Sequence, residues 1–252
     1  MAIADFRRRM MAGEPLIGTF VKTPDVAIIE VLAMSGLDWL CLDCEHAAID
    51  RRSMDAPLAI ARALEIPMVV RVATAAPAPI LQALDCGAVG VLVPHVDSAA
   101  KARDVARWAH FGEGGRGYAG STRWAGYAGT TIPDNLERDR SETVVLAQIE
   151  DAAALTVIDD IAAVPGIDSL FVGPADFAVA LGAGSTTDPL VLGAYDLVAG
   201  AAKRHGRNLS TFAATGEIAR NLRARGVSAV LIGSEHGLML SAARTVVADM
   251  RG

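Results

Sequence analysis

Short runs of branched apolar residues alternate along the chain with longer Ala- and Leu-rich segments whose apolar positions recur at helical spacing. The short runs predict eight strands: Leu16–Val21, Asp38–Asp43, Pro67–Val72, Ala88–Pro94, Val144–Ile149, Asp168–Gly173, Asn208–Ala213 and Ser228–Gly233. Several of them (MVVRV, VGVLVP, VVLAQI, AVLIG) are nearly unbroken apolar stretches, as expected when both faces of a parallel strand are buried. The longer segments predict helices over Val26–Met34, Ser53–Leu64, Ile80–Cys86, Ser98–His110, Ala152–Ala163 and Ile218–Arg225. Strands alternating with helices of that length make βαβ units and a parallel sheet, and right-handed crossovers let such units close into a ring. The α/β class follows, as a single (β/α)8 TIM barrel spanning 1–252.

An open doubly wound sheet is the competing architecture. It usually places a G-x-G-x-x-G turn after an early strand, whereas the residues after Val21 read Lys-Thr-Pro-Asp. The length of 252 residues also suits one (β/α)8 barrel, which typically needs roughly 250. The longest irregular stretch, residues 111–141, is Gly- and Arg-rich and falls between the fourth and fifth strands. Its Gly112–Gly117 part lacks the Gly-Lys-Ser/Thr ending of a phosphate-binding P-loop and reads as a flexible loop.

Composition narrows the function classes. With 52% hydrophobic but only 5% aromatic residues, the core is built from Ala, Val, Leu and Ile. A formal net charge of −6 argues against a nucleic-acid or anionic-membrane surface, both of which need clustered Lys and Arg. No apolar run is long enough to span a bilayer, and Arg7, Arg8 and Arg9 are not followed by the apolar stretch of a signal peptide. Three cysteines do not make a disulfide framework. A reduced, cytoplasmic protein is expected. Cys41 and Cys44 form C-x-x-C, but residues three apart on a strand face opposite sides and cannot share a metal.

In a barrel, chemistry belongs at the carboxyl ends of the strands. There the second strand ends in Asp43, Glu45 and His46, the third carries Arg71, the fifth ends in Gln148 and Glu150, and the sixth runs through Gly173, Pro174 and Ala175 into Asp176. Two carboxylates on neighbouring strands suit a hard divalent cation, with water and substrate oxygens completing its shell. Either acid alone would as readily be a helix N-cap or first-turn acid. Arg71 alone could be half of a structural ion pair, and His46 an ordinary loop histidine. His95, just past the fourth strand, is either structural or close to the site.

These residues carry a resemblance. Asp43-Cys44-Glu45-His46, Val70-Arg71-Val72, Leu84-Asp85-Cys86-Gly87-Ala88, Val93-Pro94, Gln148-Ile149-Glu150 and Phe171-Val172-Gly173-Pro174-Ala175-Asp176 resemble the HpcH/HpaI family of metal-dependent (class II) pyruvate aldolases, from about Gly18 to the C-terminus. The resemblance implies a barrel of the phosphoenolpyruvate/pyruvate-binding type and retro-aldol cleavage of a 4-hydroxy-2-oxo acid to pyruvate or hydroxypyruvate and an aldehyde. It implies Glu150 and Asp176 as ligands of one Mg²⁺, Mn²⁺ or Co²⁺ ion, with no organic cofactor. Arg71 would bind the keto oxygen, His46 would be the acid/base, and Asp85 would pair with that histidine from a neighbouring subunit. Asp43 and Gln148 match positions that arrange metal-bound water and the substrate side of the site, and Arg123 lies where the family places a further arginine. Phe212 falls where the family usually has a smaller or aliphatic pocket residue, and Gly233-Ser234-Glu235-His236-Gly237 departs from the family form. A homohexamer, a trimer of dimers with exchanged C-terminal helices, is implied as well. The amphipathic tail Leu238–Met250 suits such an exchange or an ordinary last barrel helix.

The chemistry is physically coherent. A 2-oxo acid chelates one metal through its carboxylate and keto oxygens. A fixed guanidinium at the same oxygen is the kind of donor worth ~3–4 kcal/mol in a transition state. A histidine titrates in the right range for a hydroxyl proton. Backbone N–H groups of the Gly173–Asp176 turn, which opens a helix, can hold the substrate carboxylate. Two alternatives stay open: a Schiff-base aldolase using Lys22, the one lysine after a strand end, and a non-catalytic barrel that only binds 2-oxo acids.

Overall fold

The computed structural model describes residues 3–252; positions 1 and 2 of the expected 1–252 domain lie outside the described residues. The strands are β1 (Leu16–Val21), β2 (Trp39–Asp43), β3 (Met68–Arg71), β4 (Gly90–Val93), β5 (Val144–Ile149), β6 (Ser169–Val172), β7 (Asn208–Ala213) and β8 (Ala229–Ser234). They close into a barrel in sequence order, with every neighbouring pair parallel. The open doubly wound sheet is thereby excluded.

The helices are α1 (Phe6–Met11), α2 (Val26–Ala33), α3 (Arg51–Ala63), α4 (Pro77–Asp85), α5 (Ala99–Ala109), α6 (Ile132–Glu142), α7 (Ile158–Ala162), α8 (Pro174–Ala180), α9 (Pro189–Arg204), α10 (Gly216–Arg223) and α11 (Glu235–Arg251). The single helix expected over 152–163 is instead a 3₁₀ turn, Ala152–Val157, leading into α7. Five helices lie outside those six ranges, α1, α6, α8, α9 and α11; of these, α8 begins at the Gly173–Asp176 turn expected to open a helix, and α11 covers the amphipathic tail. The buried positions of α9 (Val191, Ala194, Tyr195, Val198, Ala201 and Ala202) keep helical spacing with Gly193 on the exposed face, and Asp188 caps the helix while Pro189 opens it, a start signal present in the sequence.

Two apolar clusters follow from the two-residue period of a strand. Outward residues such as Leu40, Leu42, Val70, Val91, Ile149 and Val172 pack under the helices. Inward residues such as Phe20, Trp39, Cys41, Val69, Leu146 and Phe171 fill the barrel, whose floor is plugged by Phe6 and Met10 of α1. The same inward parity continues upward into Asp43, Arg71, Gln148, Glu150 and Gly173. The alternation that builds the core therefore also aims the polar residues at the mouth.

The segment expected as a flexible loop is largely fixed. Arg116, within Gly112–Gly117, is buried, its guanidinium 3.8 Å from the centroid of Phe111 and 4.6 Å from that of Trp124. Residues 132–142 of the supposed irregular stretch are α6, capped by Thr131 with Pro133 in its first turn. A Gly- and Arg-rich composition hides such order because stacking of Arg116 on aromatics five and eight residues away leaves no regular period.

Candidate active site

The parallel register sets Asp43 beside Arg71 at the ends of β2 and β3. Arg71 Nε donates to Asp43 Oδ1 at 2.9 Å and Nη2 to Oδ2 at 2.7 Å, a bidentate pair with Asp43 fully buried. The backbone N–H groups of Glu45 and His46 also donate to Asp43 Oδ1, and Lys22 Nζ lies 3.2 Å from Oδ2. Arg71 stacks on Phe20 at 4.4 Å, with Glu45 Oε2 3.4 Å from its Nη1. Its guanidinium is thus held from three sides before any substrate arrives.

Burial works to raise the Asp43 pKa, but the hydrogen bond and charge of Arg71 outweigh it and hold the carboxyl below its ordinary value. Ionised Asp43 therefore stabilises the fold above the unfolded-state carboxylate pKa, and that contribution disappears as pH falls through the lowered native value. Urea midpoints followed downward from neutral pH should drop more steeply for the natural protein than for Asp43→Asn. Parallel slopes would refute this.

Across the barrel, Glu150 follows β5 and Asp176 sits in the first turn of α8. Glu150 is 4% exposed; its Oε1 accepts the His95 N–H at 2.8 Å, and its Oε2 accepts a short bond from Gln148 Nε2. Burial raises its pKa and outweighs the two hydrogen bonds and the His95 charge that lower it, with the Asp176 charge adding a smaller upward push. Gly173 lies between the two acids. A Cβ there would stand 2.8 Å from Glu150 Cβ, 3.1 Å from Glu150 Oε2 and 3.2 Å from Asp176 Oδ2. Both carboxylates thus edge a space that only glycine leaves open, and a buried carboxyl pushed upward is one that a cation would restore to its charged form.

Among the described residues, no cluster of three or more His, Cys, Asp or Glu side chains is arranged to hold a metal. Two carboxylates form a smaller set, which suits a hard cation that keeps water and substrate oxygens. The residues fit such an ion. Gly173→Ala has ordinary backbone angles available (φ −91°), so its effect falls on the carboxylates. Mn²⁺ affinity should drop about 10–100-fold with the fold intact, the range seen when groups orienting metal ligands are altered. Undiminished affinity in a titration would contradict the arrangement.

Arg71, Gln148, Gly173, Pro174, Ala175, Asp176, His46 and the half-buried Phe212 border one cavity of about 460 Å³ at the carboxyl ends of the strands. His46 is exposed at its rim, with Nε2 3.7 Å from Glu45 Oε2. Phe212 and Phe20 form a tilted pair 6.0 Å apart, giving the cavity an apolar wall. Asp85 and Arg123 are not brought here. They line a separate hollow outside the barrel wall, formed by the start of α3, the end of α4 and residues 121–127. Arg123 is committed to Asp55 and the Cys86 carbonyl, so the single chain does not place it in the site. Asp85 has Arg116 as its nearest cation, 4.0 Å away, and burial raises its pKa.

Three strand-end residues take more definite places than the sequence gives them, and a fourth, Glu235, has no role assigned from sequence. Asp43 serves within the chain as the partner of Arg71 and Lys22, rather than facing the Glu150 side. Lys22 borders the cavity, but its ion pair with Asp43 occupies the nitrogen that a Schiff base needs free. His95, at φ +54°, sits on both Glu150 and Asp151, with Nδ1 3.3 Å and 3.1 Å from them. Burial disfavours its charged form, but the Asp151 hydrogen bond and the neighbouring acids outweigh that and raise its pKa. Of the two places the sequence leaves open for His95, structural or close to the site, this contact with Glu150 puts it close to the site. Glu235, just past β8, was visible by position.

A family model described as HpcH/HpaI aldolase/citrate lyase matches residues 16–242. A hydroxypyruvate/pyruvate aldolase of Paraburkholderia phytofirmans is 35% identical over 257 aligned positions, covering 100% of this chain and 94% of the relative. A 5-keto-4-deoxy-D-glucarate aldolase of Klebsiella pneumoniae is 34% identical, covering 94% and 93%. The crystal structure of an HpcH/HpaI aldolase/citrate lyase family protein from Burkholderia cenocepacia superposes with a TM-score of 0.92 at 32% identity, covering 99% of this chain and 100% of that one.

Proposed function

Because the chain belongs to the HpcH/HpaI aldolase/citrate lyase family, we propose that it cleaves a 4-hydroxy-2-oxo acid reversibly to pyruvate or hydroxypyruvate and an aldehyde. The observation that carries this reading is the meeting of a pre-fixed guanidinium, Arg71, with Gly173 and Asp176 at one cavity, where Gly173 also abuts the buried carboxylate of Glu150. The aldolase names of the relatives support the same reaction class.

Glu150 and Asp176 would hold one divalent cation, Mg²⁺, Mn²⁺ or Co²⁺, whose contribution is Lewis acidity toward the carboxylate and keto oxygens of the 2-oxo acid. Backbone N–H groups of the Gly173–Asp176 turn receive the substrate carboxylate, and Gln148 fixes Glu150. Arg71 donates to the keto oxygen and meets the negative charge that develops there as the C3–C4 bond breaks. His46, at the rim, takes the proton of the C4 hydroxyl, the enolate left behind takes a proton at C3 from water to give the 2-oxo acid, and both transfers reverse in the synthetic direction. The aldehyde leaves past Phe20 and Phe212. No step calls for an organic cofactor.

The oligomer belongs to the same proposal. From His236 onward every residue of α11 is exposed, including Leu238, Met239, Leu240, Val246, Val247 and Met250. An apolar face of that extent suits exchange with neighbouring copies in a homohexamer, and Asp85 of one copy would then pair with His46 of the next. No helix among the described residues is long and apolar enough to cross a membrane, and the three free cysteines suit a reducing cytoplasm.

The test is removal of metal with EDTA followed by readdition of Mg²⁺, Mn²⁺ or Co²⁺ while pyruvate release from 4-hydroxy-2-oxo acids is monitored. Activity that survives metal removal overturns the reading, as does a borohydride-trapped adduct on Lys22.

A further inference from the structure

Glu235 opens α11 and is 2% exposed, a rare position for a carboxylate. Its Oε1 accepts the backbone N–H groups of Lys22 at 2.8 Å and Thr23 at 2.6 Å. Its Oε2 is shut away from solvent with no hydrogen-bond partner. A buried carboxylate left partly unpaired costs stability, and helix capping does not account for it, since Ser234 is the N-cap and accepts from Gly237 N–H. What the two short bonds fix is the backbone immediately after β1.

That backbone carries Lys22, whose Nζ reaches Asp43, and Asp43 holds Arg71 through two hydrogen bonds. His236 closes the arrangement from the other side, with Nε2 2.8 Å from Thr23 Oγ1 and 3.3 Å from Glu235 Oε1. A continuous path of polar contacts thus runs from the foot of α11 to the guanidinium at the cavity.

We propose that Glu235 is a positioning residue for Arg71. By pinning the backbone of Lys22 and Thr23 it keeps Lys22 on Asp43, and so keeps Asp43 in the orientation that aims Arg71 at the substrate oxygen. The inference rests on the role given above to Arg71. A misplacement of about 1 Å at a reacting centre can cost up to ~10²-fold in rate, which is the scale a slackened path would produce.

The experiment compares Glu235→Ala, Glu235→Gln and Lys22→Met with Arg71→Ala in the metal-loaded protein. Two quantities are read: deuterium exchange at the pyruvate methyl group, and amide hydrogen exchange in a peptide covering residues 19–26. Glu235→Ala should lose amide protection and slow methyl exchange by about 10- to 100-fold, with Mn²⁺ affinity unchanged. Glu235→Gln keeps an oxygen that accepts both N–H groups, so it should restore protection and rate together. Lys22→Met leaves the Glu235 clamp in place but cuts the next link. It should slow methyl exchange while keeping amide protection, and it decides the matter even where Glu235→Ala fails to fold.

Methyl exchange at the natural rate in Glu235→Ala or Lys22→Met, with Arg71→Ala impaired, overturns this inference alone. A Glu235→Gln variant as slow as Glu235→Ala also overturns it. Natural exchange in Arg71→Ala overturns the role of Arg71 and this inference with it.

Discussion

Replacing Glu150 with alanine is expected to remove tight Mn²⁺ binding and to lower kcat by at least about 10³-fold, the several kcal/mol that a catalytic metal contributes. The fold should survive. Glu150 is a buried carboxyl whose burial already works against its charge, so deleting it relieves a desolvated group. The cost is confined to the His95 N–H and the Gln148 amide, which lose their acceptor, about 1–3 kcal/mol per orphaned group. Asp176→Ala should give the same loss of metal at smaller structural cost. Its side chain is exposed in the first turn of α8, where an acid is worth about 0.3–1 kcal/mol to the helix. Titration calorimetry with Mn²⁺ and the pyruvate-release assay decide the outcome. Full metal affinity in Glu150→Ala would remove the carboxylate pair from the site.

The second large effect is expected at Arg71. Arg71→Ala should retain Mn²⁺ yet lose roughly 10²–10³-fold in kcat, the magnitude for removing one preorganised donor from a developing oxyanion. Deleting one partner of a buried pair ordinarily costs about 3–5 kcal/mol. Here Lys22 and the N–H groups of Glu45 and His46 still neutralise Asp43, so the loss of stability should fall below that range. Arg71→Lys should not rescue the rate. A lysine reproduces neither the two parallel bonds to Asp43 nor the stacking on Phe20. Pyruvate methyl exchange in D₂O reads the step directly, and an undiminished rate in Arg71→Ala would contradict the assigned role.

The two variants separate roles that a single activity assay merges. Loss of metal and rate together points to the carboxylates, whereas loss of rate with metal retained points to the guanidinium.

The sequence by itself determined the barrel and the parity of its strands. β-branched runs bury both faces of a parallel strand, and a period of two places Asp43, Arg71, Gln148 and Glu150 on the inward side without reference to anything distant. Strand boundaries fell within a few residues of those observed for the same reason: the pattern is local. The helices α6 and α9 were less legible, because buried polar residues such as Asn135 and Asp139 break the apolar stripe of α6 and two glycines lower the helix propensity of α9, although its buried positions keep helical spacing. Only the tertiary structure decided which polar groups meet. The register of β2 against β3 pairs Asp43 with Arg71, the turn at Gly173 brings Asp176 to Glu150, and the closure of β8 onto β1 carries Glu235 to the backbone of Lys22, 213 residues away. It also took Arg123 out of the cavity and gave it to Asp55, and it set Arg116 against the adjoining rings of Phe111 and Trp124. Such pairings depend on hydrogen-bond geometry across elements remote in sequence, where a shift of an ångström separates a contact from none, and no local periodicity encodes that distance.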